Sequence, residues 1–127
     1  MQIGVHKVHA LIDTGASTCI CSLRLAKKTK IPIQPLKVGS SKVLISAGGN
    51  RMDVLGSILL PIKLNGLTIP FEFAVLENVT HDCIIGVPFL VHSKAEINLS
   101  NNTVTFFDDM VAVNVYQKHK TIKNLVC

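Results

Sequence analysis

One carboxylate in this sequence stands in a setting that suits chemistry. Asp13 ends the apolar run 10–12 and is followed by Thr14, Gly15 and Ala16, which places it where a strand passes into a tight turn. Backbone N–H groups and the threonine hydroxyl can reach a carboxylate held there, so the turn can direct it at a ligand. An ordinary turn that caps a hairpin fits these residues equally well.

A second stretch predicts a hairpin with a pliable tip. Residues 42–56 are β-formers interrupted by Ala47, Gly48, Gly49 and Asn50. Gly and Asn accept the positive φ of hairpin turns, so we expect a mobile tip here. The alternative is a plain solvent-exposed hairpin.

A third stretch predicts a core strand that ends at a glycine. Ile84 and Ile85 are followed by Gly86, which permits close approach of another backbone. Pro88 then suits the first turn of a short helix that we expect to run to about Ser93.

The elements around Asp13 are predicted from period and turn residues. Residues 5–12 and 18–22 predict two strands, which we expect to form a hairpin-like unit with Asp13 at its tip. Residues 22–28 predict a short helical turn with Ser22 as its N-cap.

A further hairpin is predicted from strands 57–64 and 67–76 around the turn 65–66, which is Asn-Gly. Pro61 and Pro70 lie within these strands, so we expect them at edges or bulges.

The composition fits one mostly β domain. The chain has 127 residues, of which 48% are hydrophobic and mostly Val, Ile and Leu. A last hairpin is predicted from residues 95–99 and 103–107, with strand-like sequence on to Tyr116.

No apolar segment reaches the ~20 residues that span a bilayer. Because the start lacks a signal-peptide pattern, we expect a reducing cytosolic setting.

The net charge of +5 comes largely from residues 24–30 and 118–123. Aromatic residues are not interleaved with these basic runs, as base-stacking surfaces would require. We therefore expect a solvated face and a basic tail, and no nucleic-acid partner.

The cysteines and histidines do not predict a metal site. Cys19 and Cys21 are spaced as in a strand, which is far more open than a metal-binding C-x-x-C turn, and His6 and His9 point to opposite faces. We expect buried thiols that pack as small apolar groups, with no metal and no cofactor.

The order of these parts resembles the retropepsin family, the aspartic proteases of retroviruses, pararetroviruses and LTR retrotransposons. The residues that carry the resemblance are A-L-I-D-T-G-A-S, the Gly-Gly hairpin and I-I-G-V-P-F-L, in family order within residues 3–107. The last motif looks more like retrotransposon or plant pararetrovirus proteases, since animal retroviral enzymes often carry Arg where this chain has Val87.

The resemblance implies an all-β fold, a closed β-barrel-type acid protease with one short C-terminal helix that forms half of a two-fold dimer. Residues 1–107 would be the protease domain. Residues 108–127 would be a C-terminal strand and tail, serving as a polyprotein linker or as a dimerisation device.

The chemistry of peptide hydrolysis leads to the same dimer. Without a metal or a covalent intermediate, one group must take a proton from water and another must give one to the carbonyl oxygen, and two close carboxylates that share a proton do both. D-T-G occurs once in the chain. A two-fold homodimer brings Asp13 and its symmetry mate together, which favours activity at acidic to near-neutral pH.

The resemblance also implies roles for single residues. Asp13, Thr14 and Gly15 would be catalytic, with Thr14 hydrogen-bonding across the dimer. The substrate would bind as an added strand, with Gly86 packed below the Asp13 turn. The implied substrate-binding residues are Gly15, Ala16, Ala47, Gly48, Gly49 and Ile84.

The predicted function is therefore an aspartic endopeptidase that cleaves a retroelement or viral polyprotein, in the cytoplasm or within retroelement or viral particles. Two alternatives stay open. One is a cellular protease of the same chemistry, and the other is a catalytically silent retropepsin-fold module for dimerisation or peptide binding.

Overall fold

The structure is a computed structural model, which describes residues 1–39, 42–46 and 48–108, and the backbone of residues 111–114, 116–117 and 124–126. The strands and helices, in chain order, are β1 (Gln2–Ile3), β2 (His6–Lys7), β3 (Ala10–Asp13), β4 (Ile20–Ser22), α1 (Leu23–Thr29), β5 (Val43–Ile45), β6 (Arg51–Leu64), β7 (Leu67–Leu76), β8 (Cys83–Ile85), α2 (Val87–His92), β9 (Glu96–Asn98), β10 (Thr103–Phe106), β11 (Val111–Asn114), β12 (Tyr116–Gln117) and β13 (Asn124–Val126).

Most strands belong to one half-barrel sheet. Its order is β12-β13-β3-β8-β4-β7-β6-β1-β2, with β5 paired to β6, while β9, β10 and β11 form a separate three-stranded sheet. The predicted mostly β fold is confirmed. Strand β13 joins the main sheet beside β3, and the domain boundary at residue 107 stays a prediction.

The predicted hairpin-like unit with Asp13 at its tip is wrong. Strands β3 and β4 are not neighbours, because β8 lies between them, parallel to β3 and antiparallel to β4. The sequence pattern identified both strands but not the distant strand that separates them, since period carries no information on non-local pairing.

Two other hairpins agree with the prediction. Strands β6 and β7 pair around the Asn65-Gly66 turn, and β9 pairs with β10. Pro61 and Pro70 lie directly opposite each other, at points that the neighbouring strands β1 and β4 do not reach. Their missing N–H groups therefore remove no bond to those strands.

Two short helices follow the strands that carry the site. Ser22 caps α1, because its Oγ accepts a hydrogen bond of 3.0 Å from the Leu25 N–H. Pro88 lies in the first turn of α2, and Gly86 is the N-cap. The helical turn predicted at residues 22–28 is thus the helix α1. The second helix, α2, is not the last element of the chain, because strands β9 to β13 follow it.

The core has two parts. The larger cluster includes the buried Phe73, Phe89 and Phe106. The smaller one, here called the floor cluster, consists of Ile20, Val54 and Leu76. In the part of the chain that the structure describes, no helix is long and apolar enough to cross a membrane.

Candidate active site

Asp13 stands at the end of β3 with its carboxylate held by the turn that follows. The Gly15 N–H donates a hydrogen bond of 2.9 Å to Asp13 Oδ1, and the Ala16 N–H donates one of 3.1 Å to the Asp13 carbonyl. The side chain is half-buried, whereas Thr14 and Gly15 are exposed. The turn therefore fixes the carboxylate and presents it at the surface of the single chain.

Position 15 leaves little room for a side chain. A Cβ there would stand 3.2 Å from Asp13 Oδ1, closer than most real Cβ contacts. A side chain would therefore push on the carboxylate that the backbone N–H holds.

Gly86 lies directly under this turn. A Cβ at Gly86 would come within 2.7 Å of the carbonyl oxygens of Ala16 and Thr18. The next residue continues the contact, since the Val87 N–H donates a hydrogen bond of 2.8 Å to the Ala16 carbonyl. The end of β8 thus supports the Asp13 turn through backbone contacts that only glycine permits.

A buried thiol completes this support. The Gly86 N–H donates to Cys19 Sγ at 3.3 Å, and the thiol lies 3.8 Å from the Gly86 carbonyl oxygen. Burial raises the pKa of Cys19. The thiol therefore stays neutral at ordinary pH and acts as a packing group.

Ile84 is half-buried and packs against the floor cluster. Its Cα is paired with that of Leu11 on β3, so it lies beside the strand that carries Asp13. This places an apolar side chain beside the strand that leads into the Asp13 turn.

The Gly-Gly hairpin also reaches the floor cluster. We call it the tip hairpin: β5, residues 51–54 of β6 and the tip between them. Leu44 and Met52 are directly opposite each other and both pack against the floor cluster. One side of the tip hairpin is therefore apolar and covers the floor cluster.

The tip itself is closed by Ser46 and Asn50. The Ser46 N–H donates 2.8 Å to the Asn50 carbonyl, and the Asn50 N–H donates 3.1 Å to Ser46 Oγ. Gly48 and Gly49 are exposed, and Gly49 has a φ of +84°. Ala47, predicted to bind substrate, lies outside the described residues.

A cavity of about 270 Å³ opens beside the turn. Ser17 and Thr18 line it on the side of the Asp13 turn, and Leu44 and Val54 line it on the side of the tip hairpin. The lining is both apolar and polar, and Asp13 itself is not part of it.

An ion pair anchors the segment that leads into β8. Asp82 Oδ1 accepts hydrogen bonds from Ser22 Oγ (2.8 Å), Arg24 Nη2 (2.6 Å) and Arg24 Nε (3.1 Å). Burial alone would raise the pKa of Asp82, but these hydrogen bonds and the charges of Arg24 and Lys28 lower it. Asp82 is therefore an anionic tether between α1 and β8.

Asp82 also acts on a neighbouring thiol. Burial, together with the Asp82 charge, raises the pKa of Cys21 to about 12. Cys19, Cys21 and Cys83 are buried, as predicted for packing groups, while Cys127 lies outside the described residues. Among the residues described, no group of three or more His, Cys, Asp or Glu could hold a metal ion.

The sequence prediction missed Cys19, Ser46 and Asp82 as parts of this site. Ser46 and Asn50 had a local signal, since they enclose the tip residues 47–49. Cys19 and Asp82 had none, because their partners lie 67 and 58 to 60 residues away along the chain.

Known proteins are similar to this chain in sequence. Residues 1–92 match the family described as "gag-polyprotein putative aspartyl protease". The Ddi1 homologue of Leishmania major is 32% identical over 99 residues, which are 77% of this chain and 25% of that protein. The Tf2-3 transposon polyprotein of Schizosaccharomyces pombe is 32% identical over 100 residues, 77% of this chain and 7% of that protein. The chain thus spans about a quarter or less of these two relatives.

A solved structure agrees with the sequence matches. The crystal structure of the retroviral protease-like domain of Ddi1 from Leishmania major superposes with a TM-score of 0.72 at 27% identity, over 94% of this chain and 93% of that one. The Ddi1 homologue and the Tf2-3 transposon polyprotein match this chain at equal identity. On the match of residues 1–92, the chain belongs to the gag-polyprotein aspartyl protease family and is a retropepsin-like aspartic protease domain.

Proposed function

We propose that the chain is an aspartic endopeptidase that works as a homodimer. The observation that carries this proposal is the Asp13 turn, in which one carboxylate is held by the Gly15 N–H and presented at the surface. One chain supplies one such carboxylate, and hydrolysis without a metal needs two. A two-fold axis beside Asp13 provides the second.

The reaction uses the two Asp13 side chains as base and acid, with one proton shared between them. One carboxylate takes a proton from water as the water oxygen bonds to the peptide carbonyl carbon, and the other gives its proton to the carbonyl oxygen. The tetrahedral diol then collapses: the amide nitrogen takes the proton from the first Asp13, a hydroxyl returns one to the second, and the C–N bond breaks.

Other residues of the site bind and orient the peptide. The exposed Thr14 hydroxyl hydrogen-bonds across the dimer, and Gly15 offers its carbonyl to the substrate backbone. The tip hairpin acts as a flap, with Gly48 and Gly49 over the peptide, and Ile84 with the floor cluster forms an apolar pocket. Ala16 lines the cleft wall.

The substrate in this proposal is the polyprotein of a retroelement. The similarity to the Tf2-3 polyprotein supports this, because there the matching segment is a small part of a long chain. The Ddi1 similarity supports a cellular protease of the same chemistry as the second candidate.

The test is cleavage of a peptide library between about pH 4 and 7, with and without pepstatin, at several protein concentrations. Wild type is compared with Asp13→Asn, which keeps the size of the side chain and removes its charge. We expect cleavage that the substitution abolishes and that rises faster than linearly with concentration. Equal inactivity of both proteins where a dimer has been demonstrated would support the silent binding module instead.

A further inference from the structure

The loop that follows α1 crosses strand β6 at a single glycine. A Cβ on Gly56 would lie 2.4 Å from the carbonyl oxygen of Gln34 and 2.8 Å from Cγ2 of Ile33. Real Cβ atoms essentially never come within 3.0 Å of another heavy atom, and a backbone oxygen cannot turn aside as a side chain can. Position 56 therefore accepts no side chain while the loop stays in place.

Backbone hydrogen bonds hold the crossing. The Gln34 N–H donates 2.7 Å to the Ser57 carbonyl, and the Ser57 N–H donates 2.9 Å to the Gln34 carbonyl. Further along, Leu36 packs against the floor cluster, and Lys37 Nζ lies 3.9 Å from a Glu72 carboxylate oxygen at the exposed surface of β7. We call residues 31–37 the strap. Its backbone bonds and Leu36 hold it, since an exposed ion pair adds little.

Strand β6 changes partners at this point. Its residues 51–53 pair with β5 in the tip hairpin, and residues 56–64 pair continuously with β7. Val54 lies between them: its N–H donates a hydrogen bond of 2.9 Å to the Lys42 carbonyl, and it is opposite Leu76 of β7. The register with β7 shifts between Val54 and Gly56. Such an irregularity bends a strand and interrupts its ladder, so β6 can bend at the base of the tip hairpin.

We propose that the strap and Gly56 form the hinge clamp of the tip hairpin. The strap fixes β6 at Ser57, so bending at the irregularity moves the tip hairpin and leaves the sheet still. This inference rests on the proposed function, in which that hairpin is the flap over the peptide. Gly56 and Gln34 are then positioning residues for peptide binding. They act through the tip hairpin and, unlike Asp13, do not touch the reacting atoms.

Two substitutions open the clamp by different routes. Gly56→Ala pushes the strap away, and Gln34→Pro removes the N–H that bonds to Ser57. Each has a matched control: Ser57→Ala and Gln34→Ala change side chains and keep the backbone bonds. Two independent routes keep the test decisive if one variant does not fold.

Hydrogen exchange measures the hinge without any need for activity. In both clamp variants we expect backbone amides of residues 42–46 and 48–54 to exchange about tenfold faster than in wild type. The reason is that the tip hairpin spends less time in the position that the strap holds. Amides of β3 and β8 should stay within about twofold of wild type, and both controls should match wild type.

Peptide cleavage gives the second readout. The apparent affinity for peptide falls with the fraction of molecules whose tip hairpin is in the binding position. In the clamp variants KM should therefore rise about tenfold, while kcat stays within about threefold of wild type. Equal acceleration of exchange in β3 and β8 would show that Gly56 serves general stability and would overturn the hinge. So would unchanged exchange in the tip hairpin of a folded clamp variant. If wild type cleaves no peptide, the proposed function fails, and the exchange result still decides the hinge.

Discussion

A single added carbon at position 15 should act on the Asp13 carboxylate, which is catalytic in the proposed function, and on little else. In Gly15→Ala the new methyl group would stand 3.2 Å from Asp13 Oδ1 in an exposed turn. We expect kcat for a cleaved peptide to fall about 100-fold, since small displacements of reacting groups are costly, while the melting temperature changes little. Unaltered kcat in a folded variant would contradict the account of this turn.

Position 86 should show the opposite pattern, with stability as the main loss. A methyl group there meets two backbone oxygens at 2.7 Å, and neither can move without disturbing the Asp13 turn. We expect Gly86→Ala to lower the free energy of unfolding by about 2 kcal/mol in denaturant titrations.

Gly48→Ala is the matched control for this comparison. Its nearest heavy atom would be Ser46 Oγ at 3.8 Å, an ordinary contact, so stability should stay within about 0.5 kcal/mol of wild type. Equal losses at positions 48 and 86 would mean that glycine flexibility, and not the space under the turn, sets the effect.

Single residues of this kind were predictable from sequence where their neighbours are local. The Asp13 turn follows from an apolar run ending at Asp-Thr-Gly, and Gly86 stands out as the end of a core strand. Gly56 gave no such signal, because the strap that excludes a side chain there lies 22 residues earlier in the chain.

At the scale of elements, the junction between α1 and β8 depends on Ser22 and Asp82. Ser22 caps the helix and donates to Asp82, so Ser22→Ala removes both bonds. We expect a loss of about 1 kcal/mol in the free energy of unfolding. Thr29→Val, in the last turn of the same helix, removes a hydroxyl that donates to the Ala26 carbonyl and accepts from the Ile31 N–H. It should cost less, because both bonds are local and the Asp82 junction stays intact.

The charge of Asp82 gives this junction a pH dependence. Its pKa in the folded chain is lowered from the ordinary value of 3.8, so its contribution to stability is present above that value and is lost as the pH falls through the folded pKa. Below about pH 4, wild type should therefore lose stability more steeply than Asp82→Asn in thermal melts. Parallel curves for the two proteins would contradict the tether.

The elements themselves were largely predictable, and their order in the sheet was not. Hairpins such as β6–β7 carry their turn residues with them, so their pairing follows from local sequence. The insertion of β8 between β3 and β4 is non-local, so local sequence does not reveal it. It depends on Gly86, because the absence of a side chain there lets residues 16–18 lie against the end of β8.

At the scale of the whole molecule, the proposed enzyme is incomplete without a second copy. The surface around the turn fits this: Thr14 and Gly15 are exposed, and Val87, which follows the supporting Gly86, is 39% exposed. Because Val87 cannot form the ion pairs of an arginine, we expect a dimer held mainly by apolar and backbone contacts, and activity that resists added salt.

A mixture of active and inactive chains tests the shared site directly. If each site needs Asp13 from both chains, Asp13→Asn should poison wild type by forming mixed dimers. With random pairing at concentrations where the dimer predominates, a threefold excess of the variant should reduce wild-type cleavage to about one quarter. An unrelated protein at the same concentration serves as the control. Cleavage that ignores the added variant would mean that one chain carries a complete site, which the single Asp-Thr-Gly of this sequence argues against.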